Sequence, residues 1–219
     1  MYPMIGENLI RRAVLMALLY LSCGPAFAGR SMPEATARLP QVSSFALPHG
    51  STKAPWGWAD FCMRHHDECD VAALKPEPVN LTPSLWSQIE MINHSVNASV
   101  READDREVFG VIERWDYPSS GSGDCEDFAL LKRKELIEAG IPRQALLMTV
   151  VTDENGAGHA VLTLRSNRGD FVLDNRTDKI LGWQSTNYVF VKMQSEQHPN
   201  EWQKIGDPSN ATLTASGQN

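Results

Sequence analysis

Hydrophobic positions change period partway along the chain, and that change sets the architecture. Leu85, Ile89, Ile92 and Val96 recur at helical spacing behind Thr82-Pro83, an N-cap followed by proline at the first helical position, so a helix is expected through about Val96. Asp104-Asp105 can open a second, shorter helix carrying Val108, Val111 and Ile112, closed by Tyr117-Pro118-Ser119-Ser120-Gly121. A third helix is expected from Cys125 to about Ala139. Its inward stripe is Phe128, Leu131, Leu136 and Ala139, and Gly140 with Pro142 ends it. Beyond it the period falls to two. Ala145–Thr152, His159–Arg165, Asp170–Asp174 and Tyr188–Met193 read as strands, joined by the turn-rich Asp153-Glu154-Asn155-Gly156 and Ser166-Asn167-Arg168-Gly169. The pattern predicts an α+β domain over residues 76–205, helices first, with the cysteine helix packed on an antiparallel sheet.

The flanks differ. Residues 1–28 combine Arg11-Arg12, the short apolar run Ala13–Leu21 and Ala26-Phe27-Ala28, the pattern of a signal peptide cleaved near Ala28-Gly29. A lipoprotein reading at Cys23 meets Tyr20 where a small aliphatic residue is expected. The implied location is periplasmic or secreted. Residues 29–55, rich in Pro, Ser, Ala and Gly, predict an extended, partly mobile arm, and the aromatic segment 56–75 is expected to pack onto the body. Residues 206–219 form a polar tail.

Composition narrows the function. The chain has 219 residues, 42% hydrophobic and 21% charged, as in an ordinary globular protein. The formal charge of −7, with no basic run, excludes a dominant nucleic-acid face. Cleavage would leave Cys62, Cys69 and Cys125. In an oxidising compartment two pair and one is left over, and the two neighbours Cys62 and Cys69 form the natural disulfide. On one continuous helix they would stand about 10 Å apart, too far to bridge, so the segment must bend. His65 and His66 also give it a zinc-like pattern, but adjacent histidines close a tetrahedron poorly and the compartment favours the disulfide.

Cys125 is then the odd thiol, on the first turn of a helix whose partial positive charge favours a thiolate. His159 opens a strand and shares a face with Val161 and Thr163, while Asp174 ends the next strand on the face of Val172. Helix-borne cysteine, strand-borne histidine and neighbouring aspartate are the parts of a Cys-His-Asp triad, in which His159 takes the thiol proton and Asp174 orients the imidazole. The backbone N–H of Cys125 is the expected oxyanion donor, with a second donor near Trp115 or Tyr117.

Gly123-Asp124-Cys125-Glu126-Asp127-Phe128-Ala129, Gly158-His159-Ala160-Val161-Leu162 and Val172-Leu173-Asp174-Asn175, in that order, resemble the bacterial transglutaminase-like cysteine peptidases. The resemblance spans roughly residues 80–205. It implies a papain-like, transglutaminase-type core and a catalytic triad of Cys125, His159 and Asp174. It also implies Ca²⁺ dependence with Asp124 and Glu126 as ligands, and a periplasmic or cell-surface protein substrate, an adhesin among the candidates. A regulatory membrane-protein partner also fits the family. The same triad serves acyl transfer to an amine, as in transglutaminases, and a non-catalytic calcium- or partner-binding module is the third alternative. Oligomeric state is left open.

Charge bears on the calcium reading. Asp124, Glu126 and Asp127 would lie within about 5–8 Å of the sulfur and oppose a thiolate by ~1–3 kcal/mol each, at an effective dielectric of about 20–40. The helix terminus offsets this with only about half a charge. A bound cation would reverse the balance. The competing explanation is ordinary capping, with Asp124 as N-cap and Glu126 and Asp127 in the first turn.

Overall fold

The computed structural model describes residues 38–206. The signal peptide, its cleavage site, the start of the arm and the tail from 207 onward lie outside the described residues. In chain order the elements are β1 (Pro48–Thr52), α1 (Trp56–Arg64), α2 (His66–Cys69), α3 (Pro83–Ser99), β2 (Arg101–Glu102) and α4 (Asp105–Val108), followed by β3 (Ser122–Gly123) and α5 (Cys125–Glu138). Then come β4 (Leu146–Thr152), β5 (Gly158–Ser166), β6 (Gly169–Leu173), β7 (Leu181–Gly182), β8 (Val189–Gln194) and β9 (Trp202–Ile205). Seven strands form one sheet in the order β1-β9-β8-β4-β5-β6-β7, each pair antiparallel. The expected α+β plan with an antiparallel sheet is present.

Alternation along β5 shows how the sheet divides the core. Ala160, Leu162 and Leu164 face the helices and join Phe61, Ile89, Leu130 and Leu136. Val161, on the opposite face, joins Leu147, Val151, Val172 and Trp183. Each large apolar side chain buried this completely contributes about 1.5–3 kcal/mol. Thr82 caps α3 as expected, its hydroxyl accepting from the Leu85 amide at 3.2 Å. The short helix is shorter than its apolar positions imply. α4 ends at Val108, leaving Val111 and Ile112 exposed.

Two further differences concern the flanks. The described part of the arm is not loose. Ala46 is fully buried, its amide donates to Asp170 Oδ2 at 2.8 Å, and its carbonyl accepts from Arg165 Nη2 at 3.0 Å. β1 then pairs with β9, a strand absent from the sequence-based plan. The Cys62–Cys69 disulfide is present, with a Cα separation of 5.5 Å. Its segment bends as required, because α1 stops at Arg64 and α2 starts at His66.

Candidate active site

Tight backbone geometry delivers Cys125 to the end of the sheet. Gly121 adopts φ +77, which closes the turn from Pro118 (N to O, 2.9 Å). β3 then runs parallel to β2. At Gly123 any side chain would collide with Asp127, whose Oδ2 lies 2.4 Å from the position a Cβ would take. The chain therefore passes directly over the Asp127 carboxylate before α5 begins. α5 starts beside the first residues of β5, and the Ala160 amide donates to Cys125 Sγ at 3.4 Å.

Cys125 and His159 line one cleft of ≈ 300 Å³, walled by Pro55, Glu113, Trp115 and Val150. His159, buried to 4% exposure, directs Nε2 to Asp174 Oδ1 at 2.9 Å. Its ring packs edge-on against Tyr188, with centroids 5.4 Å apart. The Tyr188 hydroxyl donates to Asp174 Oδ2 and the Arg176 amide donates to Oδ1 at 3.2 Å. Burial alone would raise the Asp174 carboxyl, but the hydrogen bonds from His159 and Tyr188 outweigh it and hold it below the usual range. The three residues expected to form a triad are thus gathered at one end of the sheet, with Asp174 ionised and fully engaged.

The thiol hydrogen bond runs toward the acids. Sγ donates to Glu126 Oε2 at 3.1 Å rather than to His159. Burial pushes the Cys125 thiol well up, and the Glu126 and Asp124 charges push it further. Burial, and then the neighbouring carboxylates, override the lowering that the helix terminus alone predicts.

Those carboxylates form the second half of the site. Asp105, Asp124 and Glu126 bring oxygens within 4.8 Å of one another. Asp124 occupies the N-cap position of α5, yet its side chain makes no capping hydrogen bond. Capping therefore does not account for it. Asp105 Oδ1, Asp124 Oδ1, Glu126 Oε1 and Asp127 Oδ2 are all buried without a partner. Burial first, and then mutual repulsion, raises Asp124 to about 6 and Glu126 to about 9. Burial likewise raises Asp127 to about 8, although the Asp116 amide donates to its Oδ1 at 2.8 Å. Several buried oxygen acceptors without donors suit a hard divalent cation, so the residues present fit Ca²⁺.

Asp105 is the member that sequence reasoning missed. Asp104 caps α4, accepting from the Glu107 amide at 2.9 Å, and its neighbour looked like an ordinary first-turn acid. Only the fold reveals that Asp105 is 2% exposed, with Oδ2 taken by the Arg114 amide and Oδ1 turned to the cluster. Neither side chain near the expected second oxyanion donor is free. Trp115 Nε1 donates to Glu113 at 2.7 Å and the Tyr117 hydroxyl to Glu68 at 2.8 Å.

Residues 49–210 match the family model of bacterial transglutaminase-like cysteine proteinases (BTLCP). The chain belongs to this family. Among solved structures, Legionella pneumophila LapG in its calcium-bound form is 26% identical, covering 50% of this chain and 64% of that one, with a TM-score of 0.44. The chain thus spans under two thirds of the length of that structure. A second LapG structure is 25% identical over 59% of this chain and 73% of its own, with a TM-score of 0.48. An EGTA-treated form is 24% identical over 61% and 74%, with a TM-score of 0.46. No curated protein matches. Within the BTLCP match lie all of Asp105, Asp124, Cys125, Glu126, His159 and Asp174.

Proposed function

We propose that the chain is an exported, calcium-dependent cysteine endopeptidase. The observation that carries this reading is the convergence of Cys125, the His159–Asp174 pair and an unsatisfied carboxylate cluster around one cleft. His159, oriented by Asp174 through Nε2, keeps Nδ1 for the cleft and takes the Cys125 proton. Sγ then attacks the scissile carbonyl, and the oxyanion forms beside the N-terminus of α5. His159 returns the proton to the leaving amine, and water hydrolyses the thioester by the same route in reverse. Asp105, Asp124 and Glu126 would hold the calcium, which supplies positive charge that neutralises the acids and frees the thiol from Glu126. The substrate is a periplasmic or cell-surface protein, with an adhesin as the family-based candidate, and the signal-peptide pattern of residues 1–28 supports that site of action.

The test is incubation with candidate envelope proteins in Ca²⁺ or chelator, alongside Cys125→Ala. Cleavage should occur only for the wild type in Ca²⁺, with Cys125→Ala reduced at least about 10⁴-fold. Processing that survives Cys125→Ala would remove the triad. Incorporation of a labelled amine without cleavage would reassign the chemistry to acyl transfer.

A further inference from the structure

The side chain of Asp174 is held by His159 and Tyr188, and its main chain is held from elsewhere. Lys132 Nζ donates to the Asp174 carbonyl at 2.8 Å. Asn97 Nδ2, from α3, reaches the same oxygen at 3.1 Å, and the same amide also contacts Thr177 O at 3.2 Å and Asp178 Oδ1 at 2.9 Å. Lys132 lies seven residues after Cys125 on α5, two turns along the same helix face. The helix that presents the nucleophile therefore also grips the backbone of the residue that orients the base.

This lysine is an odd choice for the fold alone. It is completely buried, and the acids that face it, Asp174 and Asp178, make no direct ion pair with it. Burial depresses the amine to about 7 in spite of their attraction. Removing an ammonium from water with only a carbonyl as direct partner costs folding free energy that a methionine of similar length would not incur. We propose that Lys132 is a positioning residue, which fixes the Asp174 main chain to the catalytic helix and so sets the approach of the Asp174 carboxylate to His159. The inference rests on the triad reading above.

Carboxamidomethylation of Cys125 by iodoacetamide, with calcium chloride present throughout, tests it without a known substrate. The rates to compare are those of wild type, Lys132→Met, Asn97→Ala and His159→Ala, each with its melting temperature. The downfield proton between His159 and Asp174 in ¹H NMR adds a direct readout. Lys132→Met should react about tenfold or more slowly, from misplacement of the base. It should melt no lower than the wild type and shift or lose the downfield proton. A wild-type rate in Lys132→Met while His159→Ala is slow would overturn this inference alone. A rate loss that merely tracks a fall in melting temperature would overturn it too. A wild-type rate in His159→Ala would overturn the triad reading and this inference with it. If Lys132→Met does not fold, Asn97→Ala, which removes the other donor to the same carbonyl, is judged by its rate and its downfield proton, because losing the bonds to Thr177 and Asp178 lowers its melting temperature in any case. Wild-type values of both would overturn the inference.

Discussion

Asp174 and the Asp105–Asp124–Glu126 cluster are buried acids on either side of one cysteine, and their situations are opposite. Both Asp174 carboxylate oxygens have donors, from His159, Arg176 and Tyr188, and its carboxyl is held below the ordinary range. The cluster leaves an unpartnered oxygen on each of its three residues and another on Asp127, and its acids are pushed up instead. A satisfied acid is organised by the polypeptide alone. An unsatisfied group of acids is stable only if protons or a cation complete it. The protein thus carries one half-site finished within the polypeptide and another whose acids each keep an oxygen without a donor, and the thiol between them donates to Glu126 of the second.

The largest effect should come from spoiling the finished half. Asp174→Asn keeps the shape but supports the wrong imidazole tautomer, and should lower kcat about 10⁴-fold on any protein the wild type cleaves, with calcium affinity unchanged. Completing the unfinished half comes next. Calcium at 100 times its Kd adds about 2.7 kcal/mol, a rise of roughly 5–10 °C in Tm by differential scanning calorimetry, and chelator should reverse it. An unchanged Tm would show that the cluster is closed by protons alone.

Tyr188→Phe removes one donor from the satisfied acid and should cost about 1.5 kcal/mol at neutral pH. Because the folded Asp174 carboxyl is depressed, this stabilisation is complete above the unfolded value of about 3.9 and is lost as pH falls through the folded one. Denaturant titrations of the two proteins should therefore converge in acid. The smallest effect has the most telling sign. Asp105→Asn relieves repulsion and should stabilise the calcium-free protein by about 1 kcal/mol, yet make the calcium-loaded protein less stable than wild type. A variant that loses stability in both states would show Asp105 to be structural only.

Much of the fold could be read from periodicity, and particular residues show where that reading stops. The long strands β4, β5, β6 and β8 were expected within a residue or two, since each alternates between two apolar faces. β9 was hidden because it is only four residues long and offers one apolar side chain per face, Trp202 to one core cluster and Ile205 to the other. β1, Pro48-His49-Gly50-Ser51-Thr52, is polar and lies at the sheet edge, so it has no alternation to detect. In α5 the expected stripe passed over Lys132 and Arg133, which are buried because distant carbonyls and Glu68 receive them. The candidate residues Cys125, His159 and Asp174 could be picked out because each sits at the boundary of a regular element. Asp105, Tyr188 and Lys132 join the site through contacts made only when separate elements meet, which no local pattern encodes.

The β1–β9 pairing also has a consequence for the order of assembly. It joins Pro48 to Ile205 and Thr52 to Trp202, nearly the two ends of the described chain. Pro55, which lines the cleft, lies three residues past the end of β1. Trp202 packs its ring against Trp58 at 6.2 Å and against Trp115 at 6.4 Å, and Trp115 also lines the cleft. A nascent chain can therefore hold Cys125, His159 and Asp174 while the ring that backs Trp58 and Trp115 is still missing. The cleft gains its backing only once β9, the last strand among the described residues, has paired with β1.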